Sequence, residues 1–384
     1  MSYLNWISIT PQSPIHIGES KPDFSFLPTK DVIPGSILRG ALAEYLIMQG
    51  RESEIKEFIA NMRFGFLYPS KSDTLFPFPL PTSSLECKNH PGFKSEESHG
   101  IFDTLLASVA YEELRKFTEF PVPLTFKCKE CGKRMDKVTG FYTEEGGKYT
   151  KVEVKRTSQT KVAISRRRKA SESGMLYSIT AIKPQNVFVG KIVGDMDKLE
   201  VLLDALNEVG IGALTTRGYG MVEAKEEKIR IDEGLEERVK SFNRRLEEVW
   251  RETASIALNK DKVPEEPDGT YFSVDILSPA ILRDYNGLGT LKLQLNLDGK
   301  RMDPVLFSAN PVFIGGWSTA WGLPKATTYG AGTGSTYIFK VAEETEELYQ
   351  ELERIELEGI GKMRDEGYGD VLICHPFHGE VMQV

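Results

Sequence analysis

The sequence predicts an α+β fold built from two copies of one module. The segment GIGALTTRGYGMV (210–222) shares its glycines, an isoleucine, a tyrosine and a valine, at the same spacing, with GIGKMRDEGYGDV (359–371). Each segment follows an amphipathic helical pattern and precedes a strand pattern. Each half also opens with a strand pattern that runs into a Ser-Pro pair, at Ser13 and Ser278. These observations indicate tandem ferredoxin-like (RRM-like) modules, in which the repeated segment connects the second helix to the last strand.

The first module is expected over residues 1–230. A strand pattern over 3–10 precedes a loop rich in proline and glycine, after which Ser36 is a suitable N-cap for an apolar helix. Residues 68–146 are rich in Pro, Gly and Ser and are expected to form an insertion rather than core. Within 148–192, two strand-like runs flank the basic run SRRRKASESG, which predicts a long hairpin with that run at its tip.

The second module is expected over residues 260–384, and a charged helical pattern within 231–259 is expected to connect it to the first. The strand pattern TYFSVDILSPAIL opens this module and TYIFKV follows it. The helical pattern AEETEELYQELERIELEG, the second glycine-rich segment and the strand pattern DVLICHPF then repeat the order of the first half.

Charge is unevenly distributed along the chain. The net charge is −8, which alone argues against a nucleic-acid partner. Between Lys148 and Lys169, however, nine Lys and Arg accompany one acid, so this strip carries +8 and the rest of the chain −16. A local basic strip binds phosphates even when the global charge is negative. Because no apolar run reaches the roughly 18 residues of a membrane helix and the first ten residues lack the features of a secretory signal, a cytoplasmic protein is expected.

Three of the four cysteines occur at short metal-ligand spacings. A C-x2-H pair precedes a C-x2-C pair, and such spacings let one tight turn direct two ligands at one ion. The expected Zn²⁺ ligands are Cys87, His90, Cys128 and Cys131, with His99 as the alternative to His90. Four protein ligands leave no open position, so the zinc would be structural, and a reduced cytosol favours metal over a disulfide. The alternative is an incidental C-x-x-C pair.

The glycine-rich segment has two interpretations. Glycines at this density permit positive φ and expose backbone N–H groups that bind anions, and the alternative is a tight helix-to-strand connection. Arg217 adds positive charge to the first copy, and Lys362 and Arg364 add it to the second. The second copy also carries Asp365, Glu366 and Asp370, which repel phosphate. The first copy is therefore the expected ligand-binding one. Its Tyr219 either stacks on a base or packs inside.

Several motifs together resemble the RAMP superfamily of CRISPR-associated proteins. DVIPGSILRGALAEYL is similar to the start of that superfamily's first helix, GIGALTTRGYGMVEA to its glycine-rich loop, and SGMLYSITAIKPQNVFVGKI to its hairpin region. GGWSTAWGLPKATTYGAGTGSTYIFK resembles the C-terminal half of the group-five type III subunits. The insertion and the duplicated modules look most like the type III-D RAMP of that group. The resemblance extends from Tyr3 to about Phe377.

The resemblance implies a non-catalytic subunit of a type III CRISPR effector complex in a prokaryotic cytoplasm. Such a subunit holds the 5′ tag of the crRNA, contacts the large polymerase/cyclase-type subunit and adjacent RAMP backbone subunits, and meets target RNA indirectly. The RNA-binding residues it implies are Ser36, Arg39, Lys161, Arg166, Arg167, Arg168, Lys169, Gly210, Gly212, Arg217, Gly218, Tyr219 and Gly220. Trp317 and Trp321 are candidate base-stacking platforms.

Two other functions stay open. Some RAMP relatives are metal-independent endoribonucleases that process precursor crRNA, and they need a general acid and base, typically histidine with lysine or tyrosine. Of the five histidines, only His16 lies near the first-module motifs, while His375 and His378 flank the last strand. The other alternative is a protein-only scaffold subunit whose basic strip meets an acidic partner. Binding and cleavage assays with labelled tag RNA distinguish the three functions.

Overall fold

The computed structural model of the 384-residue chain describes residues 3–19, 26–60, 62–229, 234–297, 299–318 and 322–380. It is an α+β structure, which confirms the fold class predicted from the sequence. The helices are α1 Gly35–Met48, α2 Ile55–Ala60, α3 Leu105–Leu114, α4 Met196–Val209, α5 Leu235–Ser255, α6 Glu346–Glu358 and α7 Phe377–Glu380. The strands are β1 Tyr3–Pro11, β2 Phe26–Leu27, β3 Arg63–Ser70, β4 Phe78–Pro79, β5 Ser84–Cys87, β6 Ile101–Asp103, β7 Met135–Lys137, β8 Phe141–Glu145, β9 Lys148–Val152, β10 Arg156–Ile164, β11 Ser171–Ile182, β12 Val187–Gly194, β13 Val222–Glu227, β14 Thr270–Ile276, β15 Leu295–Leu297, β16 Lys300–Met302, β17 Leu306–Ser308, β18 Pro311–Ser318, β19 Leu323–Ala331, β20 Thr336–Val341 and β21 Val371–Ile373.

The first four-stranded sheet is antiparallel and has the order β13-β1-β12-β3. Alternate residues of its central strand β1 point to opposite faces, and Ile7 and Ile9 are fully buried. α1 and α4 pack together in the same core. α4 contributes because Leu199, Leu202 and Leu206 recur on one side of the helix.

The second four-stranded sheet has the order β17-β20-β14-β21. If the strands of each sheet are numbered along the chain, both sheets have the order 4-1-3-2. Between β14 and β17 the described residues contain the hairpin β15–β16 but no helix, although the repeated module predicts one there. α5, which the sequence suggested as a connector, instead packs into the second core through Val239, Phe242 and Leu246.

Each sheet carries a long β-hairpin between its second and third strands, β10–β11 on the first and β18–β19 on the second. In each half, the last residue of the hairpin forms a β-bridge with the residue directly after the Ser-Pro pair. Ile182 pairs with Ile15, and Ala331 pairs with Ala280. The first hairpin is shorter than the 148–192 predicted. Its expected first strand begins only at Arg156, because residues 148–152 form β9 and pair with β8.

The chain between β3 and β10 forms the small sheets β4-β8-β9 and β6-β5-β7 together with α3. From the sequence, this stretch was expected to form an insertion rather than part of the core. α3 nevertheless buries one apolar face against α5, in the core of the second sheet. In the described part of the chain, no helix combines the length and the apolar character needed to span a membrane.

Candidate nucleic-acid interface and metal centre

The two glycine-rich segments have the same backbone conformation. Gly210, Gly212, Gly218 and Gly220 have φ of 76°, 84°, 81° and 84°, and Gly359, Gly361, Gly367 and Gly369 have φ of 69°, 73°, 84° and 72°. Each segment also holds one side-chain-bearing residue in the left-handed region, Leu214 at 67° and Met363 at 60°. The repeated sequence is therefore a repeated conformation.

Hydrogen bonds fix both segments to the turn that follows the first strand of their sheet. The Gly220 N–H donates to Pro14 O at 2.9 Å, and the Gly369 N–H donates to Pro279 O at 3.0 Å. The fit is close, since a Cβ at Gly220 would lie 2.2 Å from Ile211 O. This contact and the positive φ together require glycine at position 220.

The surroundings of the two segments differ. A Cβ added at Gly218 would meet no atom within 4 Å, so the first segment faces open space. A Cβ added at the equivalent Gly367 would lie 2.3 Å from Phe64 O and 3.0 Å from Gly65 Cα. At this glycine the second segment is therefore packed against β3, whereas the first segment is open.

The acids of the second segment pair with cations of the first sheet and its helix. Arg39 Nη1 lies 2.7 Å from Asp365 Oδ2 and 3.3 Å from Glu366 Oε1. Lys191 Nζ lies 2.5 Å from the buried Asp370 Oδ1. Arg39 was expected to face RNA, but its guanidinium is neutralised within the chain.

The start of α1 also faces the second segment. Pro34 occupies the N-cap position and α1 begins at Gly35, so Ser36 is the second helical residue rather than the predicted cap. A Cβ added at Gly35 would lie 2.7 Å from Glu366 O. The structure thus brings Ser36 and Arg39 to the second glycine-rich segment, not to the first.

Tyr219 joins the first glycine-rich segment to the hairpin β10–β11. Its side chain is buried, its hydroxyl donates to Gln159 Oε1 at 2.7 Å, and Lys161 Nζ lies 5.2 Å from its ring centroid. Such a ring is not free to stack on a base. It instead holds Lys161 against the first glycine-rich segment, which also carries the exposed Arg217.

The tip of this hairpin is a basic turn. The Lys169 N–H donates to Ser165 O at 2.8 Å, and Lys169 has φ of 53°. The four tip cations, Arg166, Arg167, Arg168 and Lys169, are all exposed. Lower on the hairpin, Arg156 Nε donates to Asp31 Oδ1 at 2.7 Å, so its charge is paired. The predicted basic strip therefore ends in an accessible cationic tip.

The predicted stacking platforms lie largely outside the described residues. Trp321 is among the residues not described, and so is the side chain of Trp317, so their role stays a prediction. The same hairpin, β18–β19, exposes 81% of Phe313, whose ring centroid lies 6.1 Å from that of Tyr329. Sequence reasoning missed Phe313, although its place in a strand of alternating residues could have indicated it.

Three of the histidines are buried. His16 Nδ1–H donates to Thr180 O at 2.8 Å. His378 is fully buried, with Nδ1 2.6 Å from Asp103 Oδ2 and Nε2 2.8 Å from Asp275 Oδ1. His375 is buried beside it. None of the three is accessible as a general acid or base for a bound RNA strand.

The buried His378 is charged. Burial alone lowers its pKa, but Asp275 and Asp103 together raise the pKa to about 10. Burial raises the pKa of Asp275, but His378, His375 and the Ser273 hydroxyl outweigh burial and lower it to about 2. Both imidazole nitrogens therefore donate to carboxylates, and the three groups form one ionic bridge.

The candidate metal centre contains three cysteines and one histidine. The ligand atoms of Cys87, His99, Cys128 and Cys131 all lie within 4.8 Å of one another. His99 takes the place expected for His90, whose ring stacks on that of His99 at 4.1 Å. His99 lies two residues before β6, and its N–H donates to His90 O.

The chemistry of this cluster suits a soft divalent metal. Cys87 Sγ and Cys131 Sγ are 3.6 Å apart, and His99 Nδ1 lies 3.2 Å from Cys128 Sγ. Burial raises the pKa of Cys128, but the Cys131 backbone N–H and the side chains of His99, Cys131 and Cys87 lower it to about 7. A thiol that ionises near neutral pH is a ready metal ligand. Cys374, the remaining cysteine, is buried in the second core.

Two family models match the chain. The model of the RAMP superfamily matches residues 8–223, and the model described as CRISPR-associated protein (Cas_Cmr3) matches residues 150–376. Each covers more than half of the chain, and together they extend over both four-stranded sheets. The chain therefore belongs to the RAMP superfamily and, within it, to the CRISPR-associated Cas_Cmr3 proteins, which confirms the resemblance to a type III RAMP subunit. The finer likeness to a type III-D member stays a prediction.

Solved structures of similar proteins were also found. A chain of the type III-B Cmr-beta bound to cognate target RNA and AMPPnP, state 1, is 15% identical, with a TM-score of 0.42 and coverage of 94% of this chain and 91% of that chain. A chain of the type III-B Cmr-beta bound to cognate target RNA is 15% identical, with a TM-score of 0.33 and coverage of 58% and 97%. No curated protein matches the chain. The assignment rests on the family models.

Proposed function

We propose that this chain is a non-catalytic crRNA-binding subunit of a type III CRISPR effector complex, and that its first sheet presents the surface that holds the 5′ tag of the guide RNA. The observation that carries the proposal is the contact at Tyr219, which joins the open glycine-rich segment to the basic hairpin. Lys161 and the exposed Arg217 thereby lie on two joined elements, and the same hairpin ends in the cationic tip, so we assign these cations to one positively charged surface. Single-stranded RNA binds such surfaces through its phosphates.

A comparison of equivalent positions supports the choice of the first segment. Glu366 stands in the second segment where Arg217 stands in the first, at the same spacing of 149 residues as the glycines. The segment that is open carries the cation, and the segment packed on β3 carries the anion. An RNA phosphate is attracted to the first and repelled by the second.

The proposed architecture is two ferredoxin-like modules, at about 1–230 and 260–384, and the shared strand order 4-1-3-2 supports it. Cys87, His99, Cys128 and Cys131 would hold a structural Zn²⁺, which would cross-link three distant stretches of the insertion. The proposed protein partners are the large polymerase/cyclase-type subunit and adjacent RAMP backbone subunits, with target RNA as an indirect partner.

Filter binding with labelled tag RNA tests the proposal. Arg217→Gln should weaken binding, because Arg217 is an exposed cation of the open segment. The matched control is Arg364→Gln, which removes an exposed cation from the second segment and should leave binding unchanged. Site-specific cleavage of the RNA would favour the endoribonuclease alternative. Neither binding nor cleavage, alone or after assembly with the other subunits, would favour a protein-only scaffold.

A further inference from the structure

The candidate metal centre belongs to a sheet that reaches the core of the second module. Cys87 ends β5, and β5 pairs with β6 and β7. His99 lies two residues before β6, and Asp103 ends that strand. A metal bound by Cys87 and His99 would therefore fix the strand that carries Asp103.

Asp103 is joined to the second sheet by the buried imidazolium of His378. The two bonds from this ring, 2.6 Å to Asp103 Oδ2 and 2.8 Å to Asp275 Oδ1, cross from β6 to β14. Asp275 is held further by the hydroxyls of Ser273 at 2.6 Å and Thr336 at 2.7 Å. Removing one member of such a buried set leaves an uncompensated charge in the interior, which is strongly destabilising.

The helix that follows Asp103 strengthens this connection. α3 begins two residues later and packs against α5, so that apolar residues of both helices share one core with β14 and β20. The Tyr271 hydroxyl of β14 donates to the buried Glu113 Oε2 of α3 at 3.3 Å. The metal-bearing sheet and the second core are thus linked by an ionic bridge and by a helix.

The connection to the first module is of a different kind. Ring packing carries it, with Phe76 against Trp6 at 4.8 Å and Phe141 against Tyr68 at 5.1 Å between centroids. These rings lie on β1, β3, β8 and the loop before β4, not on the strands β5, β6 and β7 next to the metal centre.

We propose that metal binding at Cys87, His99, Cys128 and Cys131 stabilises the second module, through α3 and the bridge from Asp103 by His378 to Asp275, although the ligands lie in an insertion of the first. The inference rests on the metal site proposed above. It makes residues 84–137 part of the second folding unit, and metal occupancy a condition for the integrity of that unit.

Hydrogen–deuterium exchange of the full chain, with Zn²⁺ and after chelation, tests the inference. With free Zn²⁺ at about 100 times its dissociation constant, the opening equilibrium of every metal-linked segment falls by about 100-fold. We expect this slowing in β5, β6 and α3, and also in α5, β14 and β20, while β1 and β12 change little. Slowing confined to residues 84–137, or slowing of β1 and β12 by the same factor, would overturn the inference.

Asp103→Asn tests the route of the coupling. This variant keeps all four metal ligands, so it should still bind one zinc by metal analysis. Zinc should still slow exchange in β5 and β7, but its effect on β14 should fall by about tenfold or more. An undiminished effect on β14 would show that the bridge is not the route. Wild-type protein that binds no zinc would instead refute the metal site itself, a result that metal analysis separates from the others.

Discussion

The hairpin tip offers the most direct measurement of the proposed RNA contact. Replacing Arg166, Arg167, Arg168 and Lys169 together by glutamine removes four exposed charges from a turn whose backbone bonds do not depend on them. Each phosphate that a cation neutralises on a single strand contributes about 0.7 to the slope of log K against log salt, so four contribute about 3. Between about 50 and 200 mM salt, a slope of that size changes affinity by about 50-fold.

The assay is a salt titration of tag-RNA binding by filter binding or fluorescence anisotropy. The slope of log K against log salt should be steeper for the wild type than for the tip variant, by about 3. A control variant removes four exposed cations that lie on α5 and α6, outside the proposed RNA-binding surface. Each is paired with a glutamate: Lys240, Arg244, Arg251 and Arg354. It changes the net charge equally, so its slope should stay near that of the wild type. Equal slopes for the wild type and the tip variant, or an equal drop in the control, would refute the reasoning.

Three further outcomes are expected. Arg39→Gln should lower the free energy of unfolding by roughly 0.5–1 kcal/mol, because it breaks a partly exposed ion pair, and should leave tag-RNA affinity unchanged; weaker RNA binding by a stable variant would contradict this. His99→Gln should lose the zinc that metal analysis finds in the wild type, whereas His90→Gln should keep it; equal loss in both would place the ligand elsewhere. Raising the pH toward 10 should lower the melting temperature. Protonation of His378 stabilises the fold fully below its ordinary pKa of 6.5, and this stabilisation is lost as the pH rises past its raised pKa of about 10. Asp103→Asn should flatten that profile, and an unchanged profile would show that His378 is not the group involved.

The repeat could be predicted from the sequence because glycines and prolines mark it, and these residues affect the backbone conformation locally. The role of α5 is not readable in the same way. The sequence predicts its apolar face at Val239, Phe242 and Leu246, but the spacing of apolar residues does not show which sheet this face covers. Among the described residues no helix lies between β14 and β17, and only the tertiary structure shows that α5 packs into the core of the second sheet.

The candidate sites show the same limit. The cysteine pairs are predictable from spacing alone, but His90 and His99 both precede β6 at a reachable distance. The folded structure decides between them, because the ligand atoms of His99 and the three cysteines all lie within 4.8 Å of one another. Arg39 is a sharper case, because its partner Asp365 lies 326 residues away along the chain. Neither the neutralisation of Arg39 nor the burial of Tyr219 follows from local sequence.

The two glycine-rich segments show how one backbone conformation serves two purposes. Both provide the same turn and the same hydrogen bonds, so their difference lies in what faces them. β3 approaches the second segment at Gly65, and the acids of that segment pair with Arg39 and Lys191. The second segment is therefore a contact with the first four-stranded sheet and its helix α1. The first segment meets no such strand and carries Arg217. Since the open copy is the cationic one, we infer that its ligand is an anion supplied from outside the chain, which is the chemistry of a guide-RNA phosphate.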